Sequence, residues 1–232
     1  FNTAVNVVLP FANNRSMTAI DLDDDDEVDL LTGGMALIND GNGNFTARST
    51  GNGRDGAIAD FNGDGIQDIA SLGLIDQAPT PGVYTLAVAY GKGNLKYESP
   101  LTLPGVGFST AVVAEDFNGD GRRDSATAAT AGNSVTVSFQ TADGSFTTAA
   151  NPIYSNGGSS NVISRLLGRD FNNDGDIDLV TNLNWANSLI VLTNDGTGQF
   201  AATSIGVGFQ PRSFDFGDFN NDGWDDIYIG ND

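Results

Sequence analysis

Along this chain, short apolar runs alternate with turn residues, and no stretch sustains the 3.6-residue period of an amphipathic helix. The runs "MTAI", "GAIA", "AVVAE", "SRLLG" and "SFDFG" each precede an acidic stretch. A second apolar run follows each stretch: "VDLL", "DIASLG", "DSATAA", "DLVTNL" and "DIYIG". This pattern predicts two antiparallel strands, A and B, joined by an acidic loop. Four of the five units continue as "MALINDGNGNF", "LAVAYGKGNLKY", "VTVSFQTADGSF" and "LIVLTNDGTGQF", an alternating strand C, a Gly-rich turn and a strand D.

The loops occupy residues 21–29, 60–68, 116–124, 170–178 and 218–226, at spacings of 39 to 56 residues. Repetition at that period, with four strands per repeat, predicts an all-β chain: one β-propeller domain over residues 1–232, built of four-stranded antiparallel blades. The apolar residue after the first Asp of each loop (Leu22, Phe61, Phe117, Phe171 and Phe219) is expected to pack between blades. "FNTAVNVVLP" at the start reads as a further D-type strand, giving 19 strands where a closed five-bladed ring needs 20. The alternatives are a last blade short of one strand, a blade completed by residues outside this chain, or an arc of a larger ring.

Thirty acidic against ten basic residues give a formal net charge of −20. That argues strongly against binding nucleic-acid phosphates or an anionic membrane by long-range attraction, and no apolar run reaches the roughly 18 residues needed to span a bilayer. Phe1 is not preceded by a basic and apolar leader, as expected of a mature or excised segment. The absence of Cys and His removes thiol nucleophiles, Ser-His-Asp triads and His-ligated zinc.

The loop at 60–68 places Asp60, Asn62, Asp64 and Asp68 at positions 1, 3, 5 and 9, with Gly65 at 6 and the carbonyl of Ile66 at 7. Carboxylates about 4 Å apart repel by roughly 4 kcal/mol per pair at an effective dielectric of about 20, so a cation among them is expected to hold the loop together. An all-oxygen donor set with flexible geometry favours Ca²⁺. An EF-hand would need an acid at position 12, where Ser71, Thr127, Thr181 and Ile229 stand in the four regular copies.

The run D-F-N-x-D-G-x-x-D, followed by a strand and "LxVLxNDGxGxF", resembles the FG-GAP or VCBS repeats of integrin α-chain propellers and of many secreted bacterial proteins. The resemblance implies that each copy binds calcium, four or five ions in all, through the side chains at positions 1, 3, 5 and 9 and the carbonyl at 7. The residues so implied, beyond those of the 60–68 loop, are Asp116, Asn118, Asp120, Arg122 and Asp124; Asp170, Asn172, Asp174, Asp176 and Asp178; and Asp218, Asn220, Asp222, Trp224 and Asp226. The first copy supplies Asp21, Asp23, Asp25, Glu27 and Asp29, but has Asp26 where the others have Gly; the extra charge is expected to favour a cation, and the lost Gly to strain the turn.

The function expected is a secreted or cell-surface adhesion module, non-catalytic, binding a glycan or an extracellular protein through loops away from the calcium sites. Trp185 and Trp224 are its candidate contacts. Two alternatives follow from the same residues: an assembly subunit that self-associates through the incomplete last blade by strand addition, and an accessory domain of a polysaccharide-active enzyme. Two sequons, at Asn14 and Asn44, would matter only in a eukaryotic secretory pathway.

Overall fold

A computed structural model describes residues 17–23, 25–32, 35–49, 52–74, 85–93, 96–103, 109–130, 132–148, 152–157 and 163–231. The expected opening strand at 1–10 and the sequon at Asn14 lie outside them. The chain divides into two compact units, Phe1–Leu103 and Pro104–Asp232.

The first unit holds two four-stranded antiparallel sheets. The first sheet is β1 (Thr18–Ile20), β2 (Asp29–Thr32), β3 (Met35–Asn39) and β4 (Phe45–Ser49); the second is β5 (Asn52–Ala59), β6 (Asp68–Leu74), β7 (Thr85–Ala89) and β8 (Leu101–Leu103). In both, spatial order equals chain order, so each is the A-B-C-D meander expected of a propeller blade. Leu22, Leu31 and Ala36 of the first sheet pack with Ile58 of the second.

The second unit repeats the plan. Its first sheet is β9 (Ser109–Glu115), β10 (Asp124–Ala129), β11 (Ser134–Gln140) and β12 (Phe146–Thr148), with a short extra strand β13 (Tyr154–Ser155) also on β11. The next is β14 (Leu166–Arg169), β15 (Asp178–Leu183), β16 (Ser188–Asn194) and β17 (Phe200–Gly206); the last is the pair β18 (Pro211–Gly217) and β19 (Asp226–Asn231). The only helical element among the described residues is a 3₁₀ turn, Asn184–Ala186, and no helix there is long and apolar enough to cross a membrane.

Burial follows position within the blade. The B strands β10 and β15 are buried at every residue, and the larger polar side chains they carry, Asp124, Asp178 and Asn182, are hydrogen-bonded there. The outer strand β17 is exposed from Ala201 to Gly206. The core therefore lies between sheets: Phe117, Ala126 and Val137 against Leu166, Leu179 and Leu192, then Val180 and Leu189 against Phe214.

The Phe of the acidic repeat packs as expected where a following sheet is at hand. Phe117 meets Phe200 edge-on at 5.9 Å, and Phe171 meets Phe216 at 4.2 Å. Phe219 departs from the expectation: it is 64% exposed.

Candidate metal centres in the acidic loops

Each loop is organised by its own backbone N–H groups. Asp60 Oδ1 accepts from Gly63 N at 2.7 Å and Asp64 N at 3.1 Å, while Oδ2 accepts from Gly65 N at 2.8 Å. Asn62 Oδ1 takes Asp64 N at 3.0 Å, and Asp64 Oδ1 takes Ile66 N at 2.8 Å. The same bonds recur from Asp116, Asn118 and Asp120, from Asp170, Asn172 and Asp174, and from Asp218, Asn220 and Asp222. The expected repulsion is thus partly offset by N–H dipoles that curl the loop before any ion is considered.

The curl needs left-handed backbone at position 6, supplied by Gly65, Gly121, Gly175 and Gly223. In the first loop Asp26 adopts the same conformation at φ 68°, which Asp tolerates better than most residues. Its amide still reaches Asp21 Oδ2 at 2.9 Å, so the missing glycine leaves the turn intact.

The aspartate at position 9 performs a task that the sequence reading missed. Asp68 Oδ2 accepts from Phe61 N at 2.8 Å inside the loop, while Oδ1 accepts from Gly91 N at 2.6 Å at the end of strand C. Asp124 joins Phe117 N at 3.0 Å to Gln140 N at 2.8 Å; Asp178 joins Phe171 N to Asn194 N; Asp29 joins Leu22 N to Asn39 N. Each clamp ties the A–B loop to strand C and is buried. Burial pushes Asp124 up to about 6 and raises Asp68 and Asp178 as well, against the pull of the donated N–H groups.

The loops differ in how far their carboxylates converge. Among the described residues, only Asp21, Asp23 and Asp29 bring three carboxylate oxygens within 4.8 Å of one another. Asp23 Oδ1 is buried without a partner, and burial, then the charges of Asp25, Asp29 and Asp21, raise its carboxyl. This donor set fits a hard divalent cation, which would complete the coordination of Asp23 and relieve the crowding of charge. In the third loop the Arg122 guanidinium already pairs with Asp120, and its Nε donates to Gln140 O at 3.2 Å, so a protein cation holds one of the acids there.

The far end of the fourth sheet carries the exposed aromatics. Buried Asn182 donates to Ser164 Oγ at 2.8 Å and to Pro211 O at 2.7 Å, and accepts from the amides of Ser164 and Arg165. Asn187, left-handed at φ 53°, receives Val207 N at 2.8 Å on its carbonyl and Gln210 N at 2.9 Å on Oδ1. These bonds fix the turn bearing Trp185 and the connection bearing Phe209, which are 60% and 63% exposed. Trp224 also projects outward, from the fifth loop. Phe209 escaped the sequence reading; the aromatic inside the Gly-rich connection "GVGFQP" was its available signal.

A family model described as FG-GAP-like repeat matches residues 60–127 and 170–229, more than half of the chain, and so takes in the second to fifth loops. No curated protein matches. Among solved structures the chain is similar to an Agrocybe aegerita lectin whose structure concerns specific recognition of non-reducing terminal N-acetylglucosamine. The identity is 16% and the TM-score 0.59, over 93% of this chain and 60% of that one. It is also similar to a protein from Lactobacillus plantarum, with 15% identity and a TM-score of 0.55, over 82% of this chain and 52% of that one. The chain spans little more than half the length of these relatives, and at such identities the likeness is one of fold.

Proposed function

This chain belongs to the FG-GAP-like repeat family, and on that premise we propose that it is a secreted or surface-exposed binding module, braced by calcium and non-catalytic, that holds a glycan. The observation that carries this reading is the pair of exposed aromatics, Trp185 and Phe209, on a turn and connection held rigid by Asn182 and Asn187. A flat aromatic face, mounted where it cannot collapse into the core, suits the apolar face of a sugar ring and sits at the opposite end of the strands from the acidic loops. The fold shared with a lectin that recognises terminal N-acetylglucosamine supports the choice of ligand class.

Calcium has a bracing task in this reading. Its ligands would be the loop aspartates and asparagines, with Asp21, Asp23 and Asp29 the best converged set, and each ion would lock an A–B loop that the position-9 clamp already ties to strand C. Sites of this type fill at extracellular calcium concentrations, which supports a location outside the cell.

The test is capture of glycans, including those ending in N-acetylglucosamine, by the wild-type chain and by Trp185→Ala and Phe209→Ala, in calcium. Loss of capture in the variants, with melting unchanged, is expected. Capture that survives both substitutions would overturn the assignment of this surface, and turnover of a polysaccharide by the wild type would overturn the non-catalytic reading.

A further inference from the structure

The side chain at loop position 7 follows a common path in the first, second and fourth sheets. Glu27, Ile66 and Asp176 each lie over a glycine at the C–D end of their own sheet. A Cβ added to Gly41, Gly91 or Gly196 would meet them at 2.9, 2.8 and 2.7 Å respectively. The third sheet carries Gln140, Thr141 and Ala142 along the corresponding stretch, so no glycine clears that path.

Arg122, at position 7 of the third loop, takes a different course. Its Nε donates to Gln140 O at 3.2 Å, and its guanidinium folds back onto Asp120 Oδ2. Asp120 Oδ1 accepts from Arg122 N at 2.9 Å, so one residue engages both oxygens of the position-5 acid. In the second and fourth loops the equivalent oxygens, Asp64 Oδ2 and Asp174 Oδ2, accept neutral side-chain amides, from Asn62 at 3.1 Å and Asn172 at 2.7 Å. Of the ion pairs among the described residues, Arg122 with Asp120 is the one that puts a positive charge on a candidate calcium ligand.

We infer that Arg122 is the resident counter-ion of the third loop and competes with calcium for Asp120, so that this loop keeps its shape without calcium and is the last to fill as calcium rises. The inference rests on the calcium reading given above. Calcium entering the third loop must either displace the guanidinium from Asp120 or share the carboxylate with it. Sharing sets a unit positive charge against a divalent ion, and even at the dielectric of bulk water that repulsion weakens binding by about tenfold. Displacement instead gives up the ion pair and the bond to Gln140 O. The consequence reaches the next sheet, because Asn194 Nδ2 donates to Phe117 O at 2.8 Å and Phe117 packs edge-on against Phe200. A third loop held by its own side chain keeps these two sheets joined when calcium is scarce.

The experiment measures bound against free calcium, at fixed ionic strength, for the wild type, Arg122→Gln and Arg123→Gln. Arg123 is the control: it is the next residue, it pairs with Glu115 outside the ligand set, and its loss changes the net charge equally. The last calcium of the wild type and of Arg123→Gln is expected to bind weakly, and Arg122→Gln should take that ion at about tenfold lower free calcium. Asp120→Asn should abolish this weakest step and leave the tighter ones in place. In chelator, Arg122→Gln should melt below Arg123→Gln, since only the former strips the third loop of its cation. Binding curves that coincide for the two arginine variants overturn the competition while leaving calcium bracing intact, as does loss of a tight step in Asp120→Asn. Equal melting of the two variants in chelator overturns the bracing by Arg122. Absence of calcium binding in all of the proteins would overturn the calcium reading itself, and the competition with it.

Discussion

Asp124 shows how one residue can be a candidate ligand and a structural clamp together. Its two oxygens satisfy the amides of Phe117 and Gln140, and removing them leaves two buried N–H groups without acceptors. At about 1–3 kcal/mol for each unsatisfied group, Asp124→Ala should lose about 2–5 kcal/mol of stability even in chelator, where no metal contributes. The loss should fall toward the low end, because the buried carboxylate also carries a desolvation cost, visible in its rise to about 6. Asp226→Ala is the control: that carboxyl is less buried and receives Phe219 N at 3.1 Å and only the Asn220 amide, at 3.4 Å, in place of a strand C. Urea unfolding of both variants in chelator checks the difference, and equal losses would refute the clamp. The aspartates were legible as a set because oxygen donors at alternate positions make a local pattern. The clamp was not, since its second partner returns 16 residues later from Asp124 and 23 later from Asp68.

The C–D hairpins carry the next scale of the argument, because all four close in the same way, with a backbone bond from Asp40, Lys92, Thr141 or Asp195 to the residue four along. The residue before that bond is Asn39, Gly91, Gln140 or Asn194. Asn39 Nδ2 donates to Val28 O at 3.2 Å, and Asn194 Nδ2 donates to Ile177 O at 3.1 Å and to Phe117 O at 2.8 Å. Gln140, one methylene longer, overshoots that place, and both its side-chain polar atoms are buried without partners. Gln140→Asn should supply the missing bond and remove the orphaned amide, raising stability by about 1 kcal/mol, measured as an increase in melting temperature; a lower melting temperature would mean that the longer side chain fills space the Asn cannot. The element order A-B-C-D was readable from apolar runs and turn residues alone. The extra strand β13 and the turn holding Trp185 were not: two residues of "YS" carry no period, and the rigidity of the turn comes from Asn182 and Asn187 reaching across to Pro211 and Gln210.

At the scale of the whole molecule the dominant quantity is charge, −20 on 232 residues, with much of it gathered in five loops. Composition made this plain, but not how the carboxylates of each loop are placed. Among the described residues the first loop, whose Asp26 replaces Gly, is the one where three carboxylates converge, and the third, regular in sequence, spends Asp120 on Arg122. Both outcomes depend on side-chain placement that spacing does not encode. Screening alone predicts that the chelated protein melts at a low temperature in low salt and gains steadily with sodium chloride, because self-repulsion among acids falls with ionic strength. Specific coordination predicts more. Five divalent ions would halve the formal charge, and each would join ligands that sit in separate parts of one loop, so calcium should raise the melting temperature well beyond sodium or magnesium chloride at matched ionic strength. Once calcium is bound, added sodium chloride should have little left to screen, and the salt dependence should flatten. Thermal melts across the three salts at equal ionic strength decide the matter: coincident curves would mean that the loops are acidic turns held by their own N–H groups, while separation of calcium from the other two would show that they select an ion.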